Sequence, residues 1–86
     1  MGMEGKGVAY GSLYLDEGET MVNVKQQVKH WAKYKPVAVF FDVLDNKQSI
    51  PDEDGQLYVQ RTKDYIKKKL PYLTDKDIHV DFSRAD

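Results

Sequence analysis

A histidine and an aspartate alternate in the segment DIHVDFS near the end of the chain. If this segment is a β-strand, His79 and Asp81 project from the same face, and Asp42 from an earlier apolar segment could join them. A histidine beside a carboxylate is the arrangement of a general base and the group that orients it. No recognisable motif places a nucleophile next to them, so we expect no catalytic residues and a protein that is not an enzyme.

Metal and cofactor chemistry has less support still. The chain contains no cysteine, and its two histidines leave a transition-metal site short of ligands. The acidic triplet Asp52, Glu53 and Asp54 lacks the alternate spacing and the closing glutamate of a calcium loop. We therefore expect no metal and no cofactor, and we interpret the triplet as a turn followed by the start of a helix.

Positive charge is concentrated in two segments. Residues 20–35 contain four lysines and no acid, and residues 56–70 contain five cations and one acid, while the whole chain carries −1. A basic helical layer can bind a nucleic-acid backbone or an acidic protein surface, although lysine is also common on an ordinary solvated helix. The candidate nucleic-acid-binding residues are Lys25, Lys29, Lys33, Arg61, Lys63, Lys67 and Lys68.

Tyrosines on an open sheet face are the second candidate for binding. Tyr10, Tyr14 and Tyr58 would lie where aromatic rings stack single-stranded RNA bases in domains of the RNA-recognition-motif type. The basic, glycine- and aromatic-containing octapeptide of such domains is missing. A protein partner or a second copy of the chain could cover the same rings, so we name these tyrosines as interface or stacking residues.

The composition is that of one small, charge-rich globular domain. The 86 residues are 41% hydrophobic and 31% charged, and a chain of this length has a small core. No apolar run approaches the roughly 18 residues that a membrane span requires. We expect a single domain over residues 1–86 with residues 1–6 disordered, a cytoplasmic location and no membrane partner.

Three segments are predicted to be strands and one to be a helix. Residues 7–15, 37–44 and 77–83 are rich in branched and aromatic side chains, and the second segment is expected to be central. Between the first two, apolar residues recur every three or four positions from about Thr20, which indicates a helix. Asn23 could instead cap a later helix start and leave a short strand before it.

The segment after Asp54 has two interpretations, and they lead to different topologies. A continuous helix from about Asp54 would give a sheet of three or four strands with two crossover helices. A short strand over residues 56–60, with the helix beginning near Arg61, would give the ferredoxin-like order βαββαβ. We favour the second because connections in small domains are short. The expected fold class is α+β, a two-layer sandwich with two helices on one face of the sheet.

These observations predict a small non-catalytic binding module. The favoured ligand is a polyanion, and in particular nucleic acid, bound through the basic helices or the aromatic sheet face. The alternative is a protein–protein interaction module, such as a small inhibitor or regulatory subunit, that binds a protein partner or forms a homodimer through the open sheet.

Overall fold

Three strands and two helices alternate along the chain in the computed structural model, which describes residues 7–48 and 50–84. In chain order they are β1 (Val8–Tyr14), α1 (Met21–Trp31), β2 (Ala38–Leu44), α2 (Asp52–Lys69) and β3 (Ile78–Ser83). Single turns of 3-10 helix follow β1 and precede β3. The prediction that residues 1–6 are disordered falls outside the described residues.

The sheet has three strands in the order β1-β2-β3, and both neighbouring pairs are parallel. The prediction of a central strand at residues 37–44 is confirmed. The ferredoxin-like order is wrong, because that order requires antiparallel neighbours and a fourth strand. The coarser prediction, an α+β chain with two helices and a three-stranded sheet, is confirmed.

Residues 56–60 belong to α2, so the predicted strand at this position is also wrong. Local β-propensity of the sequence QLYVQ favoured a strand, but the apolar spacing of the helix runs through it to Ile66 and Leu70. Gly55 is of a residue type that is common in turns, and here it lies in the first turn of α2. It lies against the ring of Phe82, where a β-carbon would collide with the ring.

Both helices pack against the same face of the sheet. The rings of Trp31 and Phe41 meet edge to face with centroids 6.1 Å apart, and this contact packs α1 against β2. Gly55 of α2 lies on Phe82 of β3. Strand register places Val43 beside Phe82, and Val43 shares a face with Phe41 two residues earlier. The buried core lies between this face and the helices.

Local capping fixes the start of α1. The Thr20 hydroxyl accepts a hydrogen bond from the Val22 N–H, and the Asn23 side chain accepts one from the Thr20 N–H. Thr20 is therefore the N-cap, and the alternative of a later start with a short strand at residues 20–22 is wrong. At the other end Lys35 has a φ of 52°, a left-handed conformation typical of a helix C-terminus, and Pro36 follows it.

Candidate ligand-binding surfaces

An open groove of about 410 Å³ lies between α1 and α2. Three lysine side chains and one tyrosine ring line it, with small apolar side chains between them. The lining residues are Val22, Lys25, Gln26, Val28, Lys29, Ala32, Tyr65 and Lys69. No acidic residue lines the groove in the described part of the chain, so its charge is positive.

Tyr65 organises the cations of this groove. The Lys25 Nζ of α1 lies 5.8 Å from the ring centroid, and the Lys69 Nζ at the end of α2 lies 5.7 Å from it. Both distances lie within the range of a cation–π interaction, in which the face of the ring attracts the ammonium group. One cation from each helix is thus held beside a single aromatic ring.

The helical period explains how α1 supplies its part of the groove. Val24 and Val28 are buried against the sheet, and Lys25 and Lys29 each follow one of them by one residue. A shift of one residue turns the side chain by about 100° around the helix. The two lysines therefore lie on one exposed row, four residues apart, along the wall of the groove.

The structure separates the remaining predicted cations from this groove. Lys33 lies beyond the end of α1, in the turn that leads to β2. On α2, Lys67 Nζ contacts Asp75 Oδ1 at 2.7 Å, and Lys63 also interacts with Asp75. The hydrogen bond and charge of Asp75 raise the pKa of Lys67, and Lys67 lowers the pKa of Asp75. Lys67 is therefore partly neutralised within the chain.

Arg61 and Lys68 form a third group. They are seven residues apart on α2, which places them on one stripe of the helix, and both are exposed. Neither lines the groove. The seven predicted cations thus divide into a groove pair (Lys25 and Lys29), an acid-facing pair (Lys63 and Lys67), an exposed stripe (Arg61 and Lys68) and Lys33.

Lys69 and Tyr65 line the groove but are not among the candidate residues predicted from the sequence. Tyr65 shares the apolar spacing of Ile66 and Leu70, and Lys69 is one of the five cations of residues 56–70. Their four-residue spacing places the two side chains on one side of a helix and could have linked them. Their proximity to Lys25 depends on how the two helices pack, and that information is not in the local sequence.

The opposite face of the sheet carries a stack of three rings. Strand register aligns Tyr10, Phe40 and His79, one from each strand. The Phe40 and His79 centroids are 4.6 Å apart with planes 9° from parallel, and those of Tyr10 and Phe40 are 5.7 Å apart at 21°. Rings this close and nearly parallel overlap face to face. Both faces of Phe40 and one face each of Tyr10 and His79 are therefore covered by a neighbouring ring, so the three rings do not lie side by side as a flat platform for nucleobases.

Acidic side chains occupy the next row of this sheet face. Register aligns Ser12, Asp42 and Asp81, which confirms that Asp42, His79 and Asp81 share a face. No hydrogen bond joins His79 to either carboxylate within the described chain. Two carboxylates beside the rings repel a phosphate backbone, which disfavours nucleic-acid binding on this face.

The three predicted interface or stacking tyrosines do not lie together. Tyr10 projects from the open sheet face and is 73% exposed, and Tyr14 lies on the same face at the end of β1. Tyr58 lies in α2, half-buried against the core, so its predicted place on the sheet is wrong. Phe40, which is 41% exposed, occupies the central position of the sheet face instead.

A buried carboxylate marks the carboxyl edge of the sheet. The Asp45 side chain follows β2, is fully buried and accepts a hydrogen bond from the Ile50 N–H at 2.8 Å. Arg84 follows β3 and makes three contacts. Its Nε lies 3.6 Å from Asp45 Oδ2, and its Nη1 lies 2.9 Å from Asp52 Oδ1. Its Nη2 donates a hydrogen bond to the Ile50 carbonyl. These contacts join the ends of β2 and β3 to the start of α2, which is a structural role.

Two kinds of site are missing from the described residues. Within residues 7–48 and 50–84, no group of three or more histidine or acidic side chains is arranged to hold a metal ion. Neither helix is long and apolar enough to cross a membrane.

Comparison of the chain with protein-family models, with curated proteins and with solved structures gives no match.

Proposed function

We propose that this protein is a non-catalytic polyanion-binding module and that its ligand is single-stranded nucleic acid bound in the groove between α1 and α2. The observation that carries the proposal is the position of two ammonium groups beside the Tyr65 ring. One belongs to Lys25 of α1 and the other to Lys69 of α2. Single-strand binding combines a positive groove with aromatic rings against which bases stack. The groove supplies both elements within one site, and a base that stacks on Tyr65 takes the place of one of the two ammonium groups at the ring, which then contacts a phosphate.

The groove also separates the two parts of a nucleotide. The exposed side chains of Val22 and Ala32 line it together with the partly buried Tyr65, and these can take the faces of a base. Lys25, Lys29 and Lys69 surround them and can contact phosphates on each side. A duplex keeps its bases stacked inside, so it cannot use the apolar part of the groove. We therefore expect a preference for single strands.

The distribution of charge supports the groove between the helices as the surface that binds a polyanion. The sheet face carries Asp42 and Asp81, and the carboxyl edge carries Asp16, Glu53 and Asp54, whereas the groove has no acid in the described chain. A polyanion approaching this molecule is repelled by the first two surfaces and attracted by the third. This asymmetry explains how a chain with a net charge of −1 could bind a polyanion.

The test is binding of a fluorescent single-stranded oligonucleotide, followed by anisotropy over a range of salt concentrations. If three phosphates contact the three groove lysines, the logarithm of the association constant should fall with the logarithm of salt concentration with a slope of about −2. Tyr65→Leu should weaken binding with little change of slope, because the substitution removes the ring and no charge. Binding that is equally strong at every salt concentration would refute the proposal.

One observation favours a second function, binding of a protein on the open sheet face. All-parallel sheets are normally covered on both faces, but no described residue covers the face that carries Tyr10 and Phe40. Asp42 and Asp81 beside these rings favour a partner surface with an aromatic or aliphatic centre and a neighbouring cation. Such a complex should be weakened by Tyr10→Ser and Phe40→Ser and be nearly unaffected by substitutions in the groove.

A further inference from the structure

We propose that β3 pairs with β3 of a second copy of this chain, in antiparallel orientation about a two-fold axis at Val80. This inference concerns the edge of the sheet and does not depend on the ligand proposed above. The result would be a dimer with one continuous six-stranded sheet.

The two edges of the sheet differ in how their backbone groups are used. On β1 the Gln27 side chain bonds both the N–H and the carbonyl of Ser12, and Glu19 Oε1 accepts from the Tyr14 N–H at 2.9 Å. These side chains occupy places that another strand would need. No described residue makes a comparable contact with the outer edge of β3, so β3 is the edge open to pairing.

The hydrogen-bonding direction of β3 follows from one contact. The Ser83 carbonyl accepts from the Asp45 N–H at 3.0 Å, so the backbone groups of Ser83 point toward the β2 side. Backbone direction alternates along a strand, so His79 and Asp81 also point toward β2. The N–H and carbonyl groups of Val80 and Phe82 therefore point outward from the edge.

The sequence of β3 is complementary to itself in this arrangement. With the axis at Val80, that residue faces Val80 of the partner subunit, and Ile78 faces Phe82 of the partner subunit. His79 then faces Asp81 of the partner subunit, and Asp81 faces His79 of the partner subunit. Apolar residues meet apolar residues on the helix side, and a base meets an acid on the open side.

Hydrogen bonding and side-chain pairing require the same register. Outward-pointing residues form the hydrogen-bonded pairs of an antiparallel ladder, and Val80 is one of them. Residues that point inward form the non-hydrogen-bonded pairs, in which side chains approach most closely, and these are His79 and Asp81. A slip of one residue would place valine against the charged side chains and move the apolar residues to the wrong face.

Burial on the helix side of β3 agrees with a missing neighbour. Ile78 is 2% exposed at the start of the strand, whereas Val80 and Phe82 are only partly buried although they face the core. On the central strand the core-facing Val39, Phe41 and Val43 are at most 1% exposed. A second β3 would cover the part of Val80 and Phe82 that remains exposed.

Charge exchange between positions 79 and 81 tests the pairing. The mass of the full chain should rise from monomer to dimer with concentration in sedimentation equilibrium. His79→Asp and Asp81→Lys should each weaken the dimer at least tenfold. The first variant places an aspartate opposite Asp81 of the partner subunit, and the second places a lysine opposite His79 of the partner subunit, so neither keeps the pairing of a base with an acid. The double variant H79D/D81K should recover most of the loss, since it restores an acid opposite a base at both pairs. Far-ultraviolet circular dichroism and thermal unfolding should show that all three variants fold.

A backbone substitution gives an independent test. Val80→Pro removes an N–H that would be donated to the partner and removes no bond to β2, so it should abolish the dimer. Val8→Pro at the outer edge of β1 is the matched control and should leave the dimer intact. A chain that stays monomeric up to millimolar concentration would overturn the proposal. A dimer in which H79D/D81K is as weak as the single variants would also overturn it, and this test applies even if Val80→Pro unfolds.

Discussion

The side chain of Gln27 bonds both backbone groups of Ser12 at once. Its Oε1 accepts from the Ser12 N–H at 3.1 Å, and its Nε2 donates to the Ser12 carbonyl at 2.9 Å. Ser12 lies in β1, an edge strand, and a residue of α1 thus replaces the strand that is absent there. The amide supplies the same donor and acceptor that a neighbouring backbone would supply.

Replacing this amide should destabilise the edge of β1. Gln27→Met keeps the length of the side chain and leaves the partly buried groups of Ser12 without their partner, at a cost of about 1 to 3 kcal/mol in the free energy of unfolding. Urea unfolding followed by Trp31 fluorescence measures this change. Gln26→Met is the matched control, because Gln26 is exposed and makes no such bond, and its effect should stay within about 0.5 kcal/mol. Equal effects of the two variants would contradict this role of Gln27.

Neighbouring phenylalanines on β2 should respond very differently to truncation. Phe41 is 1% exposed in the core, and Phe41→Ala should cost about 3 to 5 kcal/mol. Phe40 is 41% exposed on the other face, so Phe40→Ala should cost much less, on the order of 1 kcal/mol. Chemical denaturation of both variants tests whether the outer sheet face is uncovered in solution. A cost for Phe40→Ala similar to that for Phe41→Ala would mean that another surface covers this face.

Replacing Gly55 of α2 by alanine should destabilise the protein, although glycine normally weakens a helix. Alanine normally stabilises a helix by about 1 kcal/mol relative to glycine. At Gly55 the new methyl group would collide with the Phe82 ring, so Gly55→Ala should instead destabilise by about 1 to 3 kcal/mol. Gln56→Ala, one residue later and exposed, should be neutral or slightly stabilising. Thermal unfolding of the two variants gives the sign directly, and a stabilised Gly55→Ala would show that α2 is not seated on Phe82.

Gly55 also shows how far the sequence could predict the fold. Strand and helix periodicities identified β1, α1, β2 and β3, because each pattern is set by local geometry. At Gly55 the sequence offered a turn signal beside a short β-prone segment, and only the contact with Phe82, 27 residues later, explains why glycine is needed inside a helix. Because α2 is continuous from Asp52, no strand intervenes between β2 and β3, and these two strands pair in parallel.

Prediction of the candidate site was limited in the same way. The row of Lys25 and Lys29 could be read from four-residue spacing within α1. The division of the cations of α2 could not, because it depends on Asp75, which reaches Lys67 only after the chain has turned toward β3. Stacking of Tyr10, Phe40 and His79 depends on strand register, which no single segment of the sequence specifies.

The turn before β3 should make the stability of the folded state depend on pH. The N–H and hydroxyl of Thr74 donate to the Asp77 carboxylate at 2.9 and 3.1 Å, and these bonds lower the pKa of Asp77 from its ordinary value of 3.8. A carboxyl group with a lowered pKa in the folded state stabilises the fold above pH 3.8, and this contribution is lost as the pH falls through the folded-state pKa.

Asp77→Asn should therefore lower the melting temperature at neutral pH and have a smaller effect at about pH 2, because acid protonates the carboxylate of the parent chain. Thermal unfolding of the two proteins over this pH range measures the difference. Glu17→Gln provides the control, since Glu17 is exposed in the 3-10 turn after β1 and outside both long helices. A deficit of Asp77→Asn that is the same at both pH values would rule out the carboxylate bonds as its cause.

Binding of a fluorescent single-stranded oligonucleotide to three matched proteins tests the groove most directly. The parent chain, the groove variant K25Q/K69Q and the control K47Q/K76Q are compared by anisotropy over a salt series; the control removes the same charge from exposed positions outside the groove. We expect binding by the parent and the control that weakens with salt, and at least a tenfold loss with a shallower salt slope for the groove variant. Equal losses in both variants, or no binding by the parent at low salt, would contradict nucleic-acid binding in the groove between α1 and α2.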